Sequence, residues 1–316
     1  MRDSGKAVEP LILSALESFY IGGEVEGFLN PAGARDQRLC GAMYVQRLRP
    51  AKLRFPFPVL FIHGGCHTGV TWETTPDGRE GWAQLFVRQG FETFVIDQPR
   101  RGRSAPLMEE AGSAWSAGFS AIRLFTREGG RFPEAHSQTY ASQLWPDFGI
   151  GDAVGRGHPG YSDPRALPPL VDLLDRLGRT VLVTHSQGAD LGWRAALQRP
   201  SAVAAIFSVE PGITTAGINW HDFSNIPVRI MWGDNLPVEG EVLTRKDVED
   251  ARLLAEQFEN VSLDWLPAAG IHGNGHMLMM EDNSADLAAR AMTWLRECFP
   301  MIGDSDGREI PTGSSE

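Results

Sequence analysis

The chain has 316 residues, 42% hydrophobic and 22% charged, with a formal net charge of -11; this excludes a disordered, collagen-like or coiled-coil chain, and the acidic balance argues against a nucleic-acid partner. No apolar run approaches the ~20 residues that span a bilayer, and the start MRDSGKAVEP lacks the basic-then-apolar layout of a signal peptide. Cys40, Cys66 and Cys298 are too scattered for a disulfide framework or a metal cluster, so a reducing cytoplasm is expected unless a leader has been removed. Although the length is about twice the ~150-residue domain prior, α/β folds commonly exceed 200 residues as one unit. Residues 1–302 are therefore read as one domain and the polar, Gly/Ser-rich 303–316 as a disordered tail.

In chain order, Ser18 to Gly23 and Leu39 to Leu48 are short β-favouring runs around the turn-rich FLNPAGARDQ, which predicts an antiparallel pair at a sheet edge. From Pro58 the pattern changes. Pro58 to His63, Phe91 to Asp97, Thr180 to His185, Ala202 to Glu210, Val228 to Trp232 and Val261 to Leu266 are short, continuously apolar runs, as expected of parallel strands buried on both faces. Between them, Val248, Ala251, Ala255 and Phe258 share one helical face, as do Leu287, Ala291, Trp294 and Leu295, with Ser284 as the expected N-cap. Strand and helix in alternation predict a mostly parallel, doubly wound α/β sheet with a crevice at the strand C-terminal ends.

One connection is too long for a simple crossover, which needs about a dozen residues: more than eighty residues separate Asp97 from Thr180, and they are rich in aromatics. Residues 106–169 are read as a lid over the crevice, with Trp115, Phe119 and Trp145 as candidate substrate-binding residues. The alternative is a folded excursion that packs its aromatics into the core.

The sharpest chemical signal is TVLVTHSQGADLGWRAAL, an apolar strand running into Thr184-His185-Ser186-Gln187-Gly188 and then a helical segment with small residues. A turn that sharp lifts a Ser186 Oγ out of the sheet edge, with the helix N-terminus and the Gln187 amide placed to stabilise an oxyanion. Thr184 departs from the first Gly of the G-x-S-x-G pattern. Ala135-His136-Ser137-Gln138 repeats part of the wording but follows no apolar strand and lacks the Gly. FIHGGCHTG then supplies a second element, glycines that let backbone amides approach a carbonyl.

On these motifs the chain resembles the α/β-hydrolase superfamily from about Ser18 to Phe299, with the lid between strands four and five. The resemblance implies an oxyanion hole made by the amides of Gly65 and Gln187, with Cys66 N–H the nearest substitute. It also implies the order nucleophile, acid, base along the chain. The base then belongs to AAGIHGNGHMLMMEDN, where His276 is preferred to His272. For the acid, Asp234 follows the strand Val228 to Trp232, as in most relatives, whereas Glu210 ends the preceding strand. Ser-Val-Glu-Pro-Gly together with Gly-Asn-Gly-His-Met is similar to a bacterial esterase subgroup with a glutamate after strand six, which favours Glu210. Asp97 to Ser104 resembles the superfamily's D-x-x-G-x-G-x-S loop, its arginines read as a solvated or salt-bridged turn rather than an anion site.

The expected function is a serine hydrolase of a carboxylic ester or lactone, with catalytic Ser186, His276 and Glu210 and with neither metal nor cofactor. A nucleophilic Cys66 and a metal site at His63 and His67 are the weaker readings of that loop. The expected partner is a small apolar ester or acyl substrate, with a homodimer left open. An aminopeptidase, acyltransferase or carbon-carbon hydrolase on the same triad, or a non-catalytic ligand receptor, remain as alternatives.

Overall fold

The computed structural model describes residues 9–29, 32–104, 130–132, 140, 143, 164–212, 218–236 and 245–302. Its strands are β1 (Leu13–Ile21), β2 (Glu24–Leu29), β3 (Arg35–Cys40), β4 (Met43–Pro50), β5 (Val59–Ile62), β6 (Thr93–Asp97), β7 (Thr180–His185), β8 (Val203–Val209), β9 (Val228–Trp232) and β10 (Val261–Trp265). The α-helices among the described residues are α1 (Val70–Glu73), α2 (Trp82–Arg88), α3 (Leu167–Leu177), α4 (Gln187–Gln198), α5 (Arg245–Gln257) and α6 (Ser284–Cys298).

Eight strands form one sheet in the order β1-β4-β6-β5-β7-β8-β9-β10. β1 pairs with β4 and β4 with β6 antiparallel, and every pair from β6 to β10 is parallel. Strands β5 to β8 are buried along their whole length, which is why their sequences are apolar without alternation. Successive side chains serve opposite faces: Leu60, Ile62 and Leu182 join a core with residues of α3, α4 and α5, whereas Phe61, Val181 and Val183 join one with residues of α2 and α6. Helices on both faces make this the doubly wound sheet that the pattern predicts.

Two local expectations are corrected. The segment between β1 and β4 is not a simple turn: β2 and β3 form a separate antiparallel hairpin, with Val25 opposite Leu39, and the predicted turn contributes Phe28, Leu29 and Arg35 to Gln37 to its strands. Val25, Leu29 and Leu39 stay exposed, so cross-strand hydrogen bonding rather than burial shapes this hairpin, and no clean alternation announced it. Ser284 is the first residue of α6, not its cap, a place taken by Asn283. The Ser284 hydroxyl donates to the Met279 carbonyl at 2.8 Å and accepts from Trp82 Nε1 at 3.2 Å.

Candidate active site

The sheet ends its central strands at one edge, and of the predicted site residues Gly65, Ser186, Gln187, Glu210 and His276 collect there. β7 passes into α4 through Ser186 alone, with φ 50 and ψ -124. A non-glycine residue is strained at positive φ, by about 1–3 kcal/mol, so the turn persists only because its surroundings hold it. Gly188 shows how tightly: a Cβ there would lie 2.4 Å from the His63 carbonyl oxygen. Thr184, the departure from the usual glycine, is accommodated by Gly192, where a Cβ would meet the Thr184 methyl at 2.7 Å. Thr184 Oγ1 also donates to Ser208 Oγ at 2.9 Å.

Glu210 follows β8 with φ 44, and its backbone N–H donates to the Met231 carbonyl at 2.9 Å. Its side chain is buried; Oε1 accepts the Gly233 N–H at 2.7 Å and Oε2 lies 3.2 Å from His276 Nδ1. Burial raises the Glu210 carboxyl well above its ordinary value, with the Gly233 amide working against it. Burial also pushes His276 down to about 3, opposed by Asp247. The imidazole is therefore neutral around pH 7, as a general base must be. Asp234 is paired elsewhere: its Oδ2 lies 2.9 Å from Nδ1 of the exposed His272, and its Oδ1 accepts the Gly273 N–H at 2.7 Å. The structure thus brings Glu210 to His276 and Asp234 to His272, and Asp234 braces the loop that carries His276.

Two residues at this edge gave no signal in the sequence. His185 Nε2 lies 3.0 Å from the His276 carbonyl oxygen, with the two ring centroids 4.5 Å apart. Asp247, in the first turn of α5, acts electrostatically on both Glu210 and His276. Each reaches the site through tertiary packing, across 91 residues for the His185 bond.

The loop after β5 lies against Ser186. A Cβ on Gly64 would stand 3.0 Å from Ser186 Cβ, and Cys66 has φ 59. The metal reading of this loop is disfavoured by the ring nitrogens, which have other partners. His63 Nδ1 lies 2.9 Å from the Gly64 carbonyl and its Nε2 accepts the Gln98 N–H at 3.0 Å. His67 Nδ1 lies 2.5 Å from the Gly65 carbonyl and its Nε2 2.7 Å from the Tyr140 hydroxyl. Among the arginines, Arg103 makes the expected salt-bridged turn, with Asp97 and Glu73 each at 2.7 Å. Arg101 instead turns inward and is only 2% exposed.

Trp115, Phe119 and Trp145 fall outside the described residues, as do Ser137 and the tail 303–316. Of the long connection's aromatics, Phe132 and Tyr140 are described and buried, and Tyr140 reaches the site through His67. No described helix is long and apolar enough to cross a membrane.

The fold is that of an α/β hydrolase. Residues 58–238, more than half of the chain, match the family model described as alpha/beta hydrolase fold, and the chain belongs to that family. It is 29% identical to the probable secreted lipase phiG of a fungal species, over 94% of this chain and 92% of that one. A solved structure of a novel bacterial esterase has 29% identity and a TM-score of 0.79, covering 93% of this chain and 99% of that one. A predicted hydrolase from Thermoplasma acidophilum shares the fold at 14% identity, with a TM-score of 0.50 over 90% of this chain and 99% of that one.

Proposed function

We propose that this chain is a serine hydrolase that cleaves a carboxylic ester, lactones included, through an acyl-enzyme. The observation that carries the reading is the strained Ser186 turn, joined through the neighbouring His185 ring to His276, whose Nδ1 faces buried Glu210. Ser186 Oγ attacks the carbonyl carbon while His276 Nε2 takes its proton. The amides of Gly65 and Gln187 receive the oxyanion. As the tetrahedral intermediate collapses, the same proton passes to the leaving alcohol. Water, deprotonated by His276, then attacks the acyl carbon, and His276 returns that proton to Ser186 Oγ as the acid leaves. Glu210 Oε2 accepts the Nδ1–H bond, which fixes the tautomer and offsets the imidazolium charge; no cofactor enters the scheme.

The named activities of the lipase and the esterase, each 29% identical to this chain, support an ester substrate. The predicted lid 106–169 is proposed to cover the crevice except at its end, where residues 167–169 belong to α3, and Trp115, Phe119 and Trp145 are proposed to contribute an apolar subsite worth about 25 cal/mol per Å² of buried substrate. The scattered positions of Cys40, Cys66 and Cys298 support a reducing compartment, while the relative named as secreted supports the outside; cell fractionation decides between them. The test of the function is turnover of a panel of p-nitrophenyl esters and lactones, followed by mass spectrometry of a fluorophosphonate adduct. Label on Ser186 with turnover is the expected result. Label on Cys66 or Ser137 instead, or turnover that survives Ser186→Ala, would refute it.

A further inference from the structure

We infer that Arg101 is a positioning residue of the oxyanion site, holding the Gly64–Gly65 peptide and the Gln187 side chain so that the two amides converge beside Ser186. The inference rests on the acyl-transfer reading above and adds a residue outside its triad. The buried guanidinium lies in the loop after β6 and joins three segments. Nη1 donates to the Gly64 carbonyl at 3.2 Å and to Gln98 Oε1 at 3.3 Å, and Nη2 donates to Gln187 Oε1 at 3.0 Å. Gly64 precedes one proposed oxyanion donor, and Gln187 is the other.

Peptide geometry turns these contacts into an orientation. In a trans peptide the N–H of one residue points opposite to the carbonyl of the residue before it, and no described peptide bond is cis. A Gly64 carbonyl held on Arg101 therefore aims the Gly65 N–H away from Arg101. His63 holds the same oxygen from a second direction. Because the Gln98 N–H donates to His63 Nε2, that nitrogen is an acceptor and Nδ1 carries the proton given to Gly64. Gln98 Nε2 closes the ring by donating to the His63 carbonyl at 2.7 Å. The missing Cβ of Gly188 lets α4 sit directly on this backbone, so movement of the loop is passed to the nucleophile turn. A cation on the carbonyl side also polarises the peptide and strengthens its N–H as a donor.

The test uses the full chain and compares wild type with Arg101→Met and Arg101→Lys. It reads kcat and KM on a short p-nitrophenyl ester, together with the inhibition constant of a trifluoromethyl ketone, whose hemiketal carries the oxyanion. Removing one direct oxyanion donor costs about 10²–10³ in kcat, so misaiming donors should cost less. Arg101→Met is expected to lower kcat ~10 to 100-fold, to leave KM within about threefold, and to weaken the ketone by the same factor as kcat. Arg101→Lys, which retains one charged donor, should recover part of both. Should Arg101→Met not fold, Gln187→Leu keeps the backbone amide but removes the side-chain acceptor, and must show the same matched loss. Unchanged kcat in the folded variants, or a kcat loss with unchanged ketone affinity, overturns the role of Arg101 alone. A wild-type chain without Ser186-dependent turnover overturns the acyl-transfer reading as well.

Discussion

His185 Nε2 and the carbonyl oxygen of His276 lie 3.0 Å apart, so the side chain beside the proposed nucleophile holds the backbone of the proposed base. A carbonyl can only accept, which makes Nε2 the protonated nitrogen and leaves Nδ1, close to Gly64, without a proton. Burial pushes the His185 pKa well below its ordinary value and so keeps the ring neutral. His185→Phe would keep a ring against His276 and lose this donor. The expected cost is about 1–3 kcal/mol of stability and, through a misaligned base, a ~10 to 100-fold drop in kcat with little change in KM. Thermal melts and steady-state kinetics of the one variant check both, and an unaltered kcat would reduce His185 to a packing residue.

Ser186 itself carries a cost that the chemistry imposes. At φ 50 and ψ -124 a glycine is at ease and a serine is not. Ser186→Ala should remove at least about 10⁴ in rate while keeping the strain. Ser186→Gly should be equally inactive yet more stable than Ser186→Ala by ~1 kcal/mol, because its backbone accepts the turn. Denaturant unfolding of the two inactive variants measures the difference, and equal stability would mean that the turn is not strained.

What was legible in the sequence followed how locally each feature is encoded. The strand-turn-helix at Ser186 could be read because strand, turn and glycines are neighbours in the chain, and the buried parallel strands because burial on both faces leaves continuous apolar runs. The choice of His276 over His272 and of Glu210 over Asp234 leans on short motifs; the structure pairs Glu210 with His276 and Asp234 with His272, and the kinetics of the variants assign the roles. The hairpin β2–β3 was hidden because its outward face carries Val25 and Leu39, which blur the alternation. Arg101 was hidden for a different reason. Nothing in Arg100-Arg101-Gly102-Arg103 says which guanidinium turns inward; that is decided by acceptors on β5 and α4 loops distant in sequence.

The choice of acid can be tested on geometry now available. Glu210 is buried and touches His276, whereas Asp234 is partly exposed and bonds His272 and the Gly273 amide. Glu210→Gln should lower kcat by up to about 10⁴, since an amide can turn its NH₂ toward Nδ1 and favour the wrong tautomer. Asp234→Asn keeps one acceptor for Gly273 and should cost less than ~10-fold. Circular dichroism establishes that both variants fold; the opposite ranking of kcat would move the acid role to Asp234.

Glu281 links the base loop to pH. Its Oε1 accepts the Gly275 N–H at 2.7 Å, one residue before His276, and its Oε2 accepts from the Asn274 amide. Burial raises this carboxyl from 4.5 to about 8, with Glu210 and Asp282 adding to the rise and the two hydrogen bonds opposing it. Between pH 4.5 and 8 the folded chain therefore holds a proton that the unfolded chain has released. Stability from this group is fully present below pH 4.5, declines by up to about 1.4 kcal/mol per pH unit across the window, and is lost above 8. Glu281→Gln cannot titrate. It can offer its carbonyl to only one of the two donors, so its Tm should start lower; the discriminating quantity is the slope. Wild type minus variant should fall steadily from pH 5 to pH 8 in thermal melts. Parallel curves would mean that Glu281 is already ionised in the folded chain and that the base loop does not loosen with rising pH.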